Sequence, residues 1–233
     1  MADQGVSNER KRELEQMDPF QEAMVRGLSY ASAHKKQIGM VIGALVVVFA
    51  IFSGIIYSFK QSEIKASALV AKATAEYAKV YAKEQDLKTG FEAVKDDFTI
   101  IFEDYANTSA GRMALVSWAK ICFDAGEYDL AFTSYTDALS ALGDEAGMEN
   151  FILSALGNLS RIKNEPEKAK SYYLRIENGS SGLLKDEARF ALAMLYEAEN
   201  DLAASLKMYE KIIAENDSSI YRSIAQARVN GAR

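Results

Sequence analysis

The chain has 233 residues, a formal charge of −6, one cysteine, one histidine and two prolines. A body of this size needs neither disulfides nor metal to stand, and the solitary Cys122 excludes an internal disulfide as well as any C-x-x-C ligand pair. Residues 61–233 hold 20 Lys or Arg against 27 Asp or Glu, a net −7, and an acidic body repels a phosphate backbone, which argues against nucleic acid as a partner.

The elements follow in chain order. Residues 1–37 form a short tail in which six basic and six acidic residues cancel. Its composition predicts disorder to about Gln16 and then a helix, with Asp18 as cap, Pro19 in the first turn and Gln21 closing a capping box. Phe20, Met24 and Leu28 recur at spacing four with Val25 beside them, a stripe that suits either the membrane surface or a partner helix. Residues 38–59 read IGMVIGALVVVFAIFSGIIYSF without a charge. As a helix this run is about 33 Å long, against about 30 Å of bilayer hydrocarbon, and it is apolar on every face, which predicts a transmembrane helix rather than a core helix. Ala66-Ser67-Ala68 has the small-x-small pattern of a signal cleavage site. The long tail before the apolar run, and a run exceeding the roughly 7–15 residues of a signal peptide, make an uncleaved signal-anchor the better reading. His34, Lys35, Lys36 and Arg26 precede the run and Lys60 and Lys65 follow it, so the positive-inside rule leans only weakly, through the short flank, toward a cytoplasmic N-terminus. Gly39 and Gly43, then Ala50 and Gly54, sit four apart and make a flat stripe for close helix packing, the basis for an oligomer with copies or other proteins.

In residues 60–111 the pattern predicts an alanine-rich helix from Glu63 to Lys83, continuing from the span as a stalk. Its partner runs from Phe91 to Tyr105 with Phe91, Val94, Phe98, Ile101 and Phe102 on one stripe. Residues 112–219 repeat. Arg112 to Glu145 places Leu115, Trp118, Ala119 and Cys122 on a first helix, turns at Asp124–Tyr128, and places Ala131, Tyr135 and Ala138 on a second. Asn150 to Leu183 does the same with Leu153, Leu156 and Gly157, a turn at Asn164-Glu165-Pro166, then Ala169, Tyr173 and Ile176. Asp186 to Ser219 follows with Leu192, Ala193 and Tyr196, a turn at Glu199–Leu202, then Ser205, Tyr209 and Ile212. Ala131, Ala169 and Ser205 are about 38 and 36 residues apart, which is the 34-residue tetratricopeptide period with short insertions, one of them at Gly143–Ala146. Residues 220–233 read as a capping helix with Ile220, Ile224 and Ala227 on one side. The expected fold is all-α, a single transmembrane helix followed by a tetratricopeptide-like α-solenoid.

This layout resembles the ancillary subunit family of the bacterial Sec translocon (YfgM-like). The repeat around Ala119 and Ala131 carries the resemblance, with the segment from Phe102 to Gly111, FEDYANTSAG, which looks like that family's link between its first two hairpins. It covers residues 20–228. The resemblance implies one span in the bacterial inner membrane, an N-terminus in the cytoplasm and a periplasmic repeat domain. Translocon subunits, periplasmic chaperones or exported chains are then the expected partners.

A solenoid leaves a concave face lined by first-helix residues. Repeat offsets place there Met113, Val116, Lys120 and Phe123, then Phe151, Ser154, Asn158 and Arg161, then Glu187, Phe190, Met194 and Glu197. Exposed Phe and Met suit an apolar or helical peptide. Burial by a neighbouring hairpin or the cap is the equal alternative for Phe151 and Phe190, and the favoured one for Phe123. No catalytic, cofactor or metal site is expected. His34 sits beside the membrane among lysines, Cys122 occupies a packing position with no histidine to pair with, and no phosphate-binding glycine motif occurs. Asn107-Thr108-Ser109 and Asn158-Leu159-Ser160 match a glycosylation pattern that a bacterial protein leaves idle.

Overall fold

A computed structural model describes residues 19–232 apart from Ala146 and Asp217. The expected disorder before Gln16 and the Asp18 cap lie outside the described residues. Ten helices occur among them: α1 Pro19–Ala33, α2 Lys35–Glu84, α3 Leu87–Tyr105, α4 Ser109–Asp124, α5 Tyr128–Leu142, α6 Met148–Ile162, α7 Pro166–Asn178, α8 Lys185–Ala198, α9 Leu202–Glu215 and α10 Arg222–Gly231. They divide into two compact units, one ending at Phe59 and the other beginning at Lys60.

The first unit is α1 and the apolar part of α2. The stripe Phe20, Met24, Val25 and Leu28 is exposed, as are the apolar side chains from Met40 to Phe59. α2 is long and apolar enough to cross a membrane. A Cβ placed on Gly39, Gly43 or Gly54 would meet nothing within 4 Å, and Ala50 is likewise exposed. At the α1–α2 junction the His34 ring stacks on Tyr30 with centroids 4.3 Å apart.

In the second unit, α2 continues without a break through Ala66-Ser67-Ala68 and buries Ala66 and Ala73. α3 buries Phe91, Val94, Phe98 and Ile101, while Phe102 is half-buried. Gly90 permits the close approach of the two helices: a Cβ there would stand 2.9 Å from the Tyr77 ring. Asp86 caps α3 by accepting from the Lys88 and Thr89 amides at 3.2 and 3.1 Å.

The N-terminus of α4 is satisfied by two acceptors from different parts of the chain. Thr108 Oγ1 accepts from the Gly111 amide at 2.9 Å. Glu63, on α2, accepts from the Ser109 and Ala110 amides at 2.7 and 2.8 Å. Three amides that no intrahelical carbonyl can reach are thus covered, and a carboxylate sits where the helix dipole favours negative charge. Glu63→Ala is expected to cost about 1 kcal/mol, read as a lower melting temperature and faster amide exchange at Ser109 and Ala110.

From α4 onward the chain repeats as antiparallel helix pairs, α4 with α5, α6 with α7 and α8 with α9, with α10 packed on α9. The turn inside each pair is built alike. Gly126, Asn164 and Asn200 take φ of 79°, 57° and 62°, and the next amide closes back onto the first helix: Glu127 to Cys122 O, Glu165 to Ser160 O, and Asp201 to Tyr196 O, at 2.9, 2.8 and 2.9 Å. A left-handed residue after the helix end is what this closure requires, and glycine and asparagine adopt it at least cost. Gln85, with φ 56° before α3, takes the same left-handed step at the degenerate hairpin, but there its own amide closes onto Tyr81 O at 2.9 Å.

Packing follows the small residues. Ala119, Ala131 and Ala169 are fully buried and Gly157 is buried with them. The interior forms two clusters, one from Ala73 to Leu159 around Phe98, Trp118 and Tyr135, the other from Leu153 to Val229 around Tyr173, Leu192 and Tyr209. The last helix departs from the expected phase. α10 buries Ala225 and Val229, with Tyr221 packed beside them, whereas Ile220 is 82% exposed and Ile224 is exposed too. The docking angle on α9 selects the neighbouring stripe, one residue round the helix.

Candidate protein-interaction groove

The first helices α4, α6 and α8 bring several of the expected groove residues to one cleft of about 240 Å³. Lys120 and Phe123 come from α4, Phe151, Ser154, Ala155 and Asn158 from α6, Leu184 from the loop before α8, Glu187 from the first turn of α8, and Tyr135 from α5. An open depression of about 370 Å³ adjoins it, lined by Phe123, Asn158, Arg161 and Ile162. Phe151 is 43% exposed at the cleft wall.

The remaining candidates lie elsewhere. Met113 and Met194 are exposed, at 42% and 41%, and Val116 and Glu197 are half-buried, but none of the four lines the cleft. Phe190 packs against the second core cluster with its ring stacked on Tyr221 at 4.7 Å, so it serves the α8–α10 contact. Phe123 is half-buried rather than sealed: it packs on the first cluster and shows an edge to both concavities.

Hydrogen bonds hold the polar lining in place. Lys120 is bridged to Asp124 one turn on. Ser154, itself almost fully buried, donates its hydroxyl to the Glu187 carboxylate. The Tyr173 hydroxyl donates to Asn158 Oδ1 at 2.9 Å. Burial pushes the Tyr173 phenol up to about 12, Arg161 offsetting part of the effect. Burial, with the charge of Asp124 adding to it, also pushes Tyr135 up to about 12. Both phenols remain neutral across the working range.

Tyr173 depends on Gly157. A Cβ at Gly157 would stand 2.6 Å from Tyr173 Cζ, although the matching positions of the other repeats hold Ala119 and Ala193, so this tyrosine sits closer to its helix than Tyr135 or Tyr209 do to theirs. Gly157→Ala is expected to cost about 1–3 kcal/mol by overpacking and to free the Asn158 amide; thermal unfolding measures the first effect.

Sequence offsets missed Leu184 and Ala155 as lining residues. Leu184 belongs to the inserted loop before α8 and takes φ 60°. The loop is held by Asn150, a buried side chain whose Nδ2 donates to Leu183 O at 2.7 Å. The one available signal was Asn150 itself, a polar side chain directly before the apolar run Phe151-Ile152-Leu153.

Among the described residues no three His, Cys, Asp or Glu side chains converge as metal ligands. Cys122 is fully buried, and burial, with Glu127 adding to it, pushes its thiol up to about 12, the opposite of what a nucleophilic cysteine requires.

No family model and no curated protein matches the chain. The structure is similar to a solved tetratricopeptide repeat protein from Parabacteroides merdae, with a TM-score of 0.54 and 22% identity over 73% of this chain. The matched part spans 59% of that protein's length. At this identity the likeness concerns the fold: an all-α repeat scaffold of tetratricopeptide type, an architecture suited to protein–protein contacts.

Proposed function

We propose that this chain is a non-enzymatic, membrane-anchored protein-interaction module. In this reading residues 38–59 cross the bacterial inner membrane once, the N-terminus stays in the cytoplasm, and the repeat body stands on the periplasmic side. There it engages translocon subunits, periplasmic chaperones or exported chains, as the resemblance to the ancillary translocon subunit implies. The observation that carries the reading is the cleft: an exposed Phe151 beside anchored polar groups, on a scaffold whose helices are fixed by buried small residues. Soft apolar walls with a few fixed polar groups are the usual make-up of a polypeptide groove.

A photo-crosslinking residue at position 151, in the full chain in its membrane, is expected to capture a discrete protein partner, and Phe151→Ser to abolish pull-down of the same partner. Associations that survive Phe151→Ser unchanged would remove the groove from the account. Protease cleavage at exposed Lys207 in spheroplasts, but not in intact cells, is the expected result for a periplasmic body.

A second reading rests on the bare stripe of the apolar helix, where Gly39, Gly43 and Gly54 have open space and Ala50 continues the spacing. Here the protein organises an envelope complex through helix contacts. Replacing Gly39 and Gly43 by Ile is then expected to disperse the complex while the body stays folded; an unchanged sedimentation profile ends that reading.

A further inference from the structure

We propose that the cleft selects a polypeptide segment in which an apolar anchor residue is flanked by lysine or arginine, and that Glu187 is the group that reads the cation. The inference rests on the groove reading above and specifies its partner.

Size sets the first limit. About 240 Å³ is the volume of about eight liquid waters, below the roughly 300–1,000 Å³ of small-molecule sites. It is room for one large side chain, and the walls of Phe123, Phe151, Ala155 and Leu184 make that side chain apolar.

Charge sets the second. Lys120 and Asp124 neutralise each other. Asn158 has accepted from Tyr173. Asp186, next to Glu187 in sequence, pairs with Arg189, which also binds Glu177 and Glu215 on the far side of α8. Arg161 lines the adjoining depression and not the cleft. Glu187 is left half-buried with one neutral hydrogen bond, from Ser154, and with no ion pair to it among the described residues. A buried serine aimed at the carboxylate holds it toward the cleft without cancelling its charge. The cleft therefore carries one uncompensated negative charge on a body of net −7, which attracts a cationic segment and repels an acidic one. Neutral and acidic segments are the competing occupants.

The test uses the full chain in neutral detergent and fluorescence anisotropy with three labelled Gly/Ser-rich peptides of about twelve residues. Their central pairs are Leu-Lys, Leu-Glu and Ser-Lys. The Leu-Lys peptide is expected to bind about tenfold more tightly than either of the others. E187Q, which keeps an acceptor for Ser154, is expected to erase the preference for Leu-Lys over Leu-Glu. E187K is expected to reverse it, and D137N, on the exposed face of α5, to change nothing. Equal binding of Leu-Lys and Leu-Glu, equal weakening by E187Q and D137N, or binding of none of the three peptides overturns the proposal. The groove reading is judged separately: it stands if Phe151→Ser still abolishes pull-down of the partner and falls if that variant changes nothing.

Discussion

Arg189→Ala is expected to lower the stability of the repeat body by about 3–5 kcal/mol. That is a large share of the ~5–15 kcal/mol by which a domain is folded. The side chain of Arg189 is 4% exposed and that of Glu177 6%, and their contact, Nε to Oε2, is 2.7 Å. Lys211 approaches the other Glu177 oxygen at 2.5 Å, and Arg189 also reaches Glu215 and Asp186. The network ties α7, α8 and α9 together at the seam between the second and third hairpins. Removing the guanidinium leaves the buried Glu177 carboxylate with the partly exposed Lys211 as its one remaining cation among the described residues and takes the arginine from Asp186 and Glu215 as well, so the cost is that of under-compensated charge rather than of one lost contact. Replacement of Arg189 and Glu177 together by apolar residues of like volume is expected to recover most of the loss. Chemical denaturation of the three proteins measures it.

The same network gives a pH dependence of known sign. Burial pushes the Glu177 carboxyl up, but hydrogen bonds from Lys211 and Arg189 outweigh it and hold the group below its ordinary value. A depressed carboxylate contributes stability that is complete above its unfolded pKa, near ~4.3 for glutamate, and is lost as the pH falls through the lower folded value. Glu177→Gln is therefore expected to melt lower at neutral pH and to lose less than the parent on acidification. Parallel melting curves for the two proteins at acid pH would refute the assignment.

Gly111→Ala is expected to cost at least the upper end of the ~1–3 kcal/mol typical of overpacking. A Cβ there would lie 2.1 Å from the Tyr105 carbonyl oxygen and 2.8 Å from its carbon. Both are backbone atoms of the preceding helix, so no rotamer change relieves the clash. The displacement would also pull the Gly111 amide from Thr108 Oγ1 and disturb the two amides that Glu63 caps. Because α4 opens the first full repeat and carries Lys120 and Phe123, the loss is expected to reach the groove. A double variant with Glu63→Ala should cost less than the sum of the single changes, since both act on one helix end.

What was legible in the sequence was what repeats locally. The charge-free run states a helix long and apolar enough to cross a membrane, and the small residues at 119, 131, 157 and 169 and the turns at Gly126, Asn164 and Asn200 state their roles through spacing and backbone preference alone, within one hairpin. The groove was legible only in part. Lys120, Phe151 and Asn158 follow from repeat offsets, but Leu184 enters from an insertion that no offset describes, and Phe190 is claimed by Tyr221 instead.

The tertiary structure decided whatever depends on contacts between distant segments. Glu63 caps a helix some 46 residues away, Arg189 gathers carboxylates from three helices, and α10 turns Tyr221, Ala225 and Val229 inward in place of Ile220 and Ile224. Helical period names the faces a segment offers. Which face is buried, and which charge is left without a counter-ion, depends on the crossing of neighbouring helices and on loops of irregular length, and these emerge only when the whole stack is assembled.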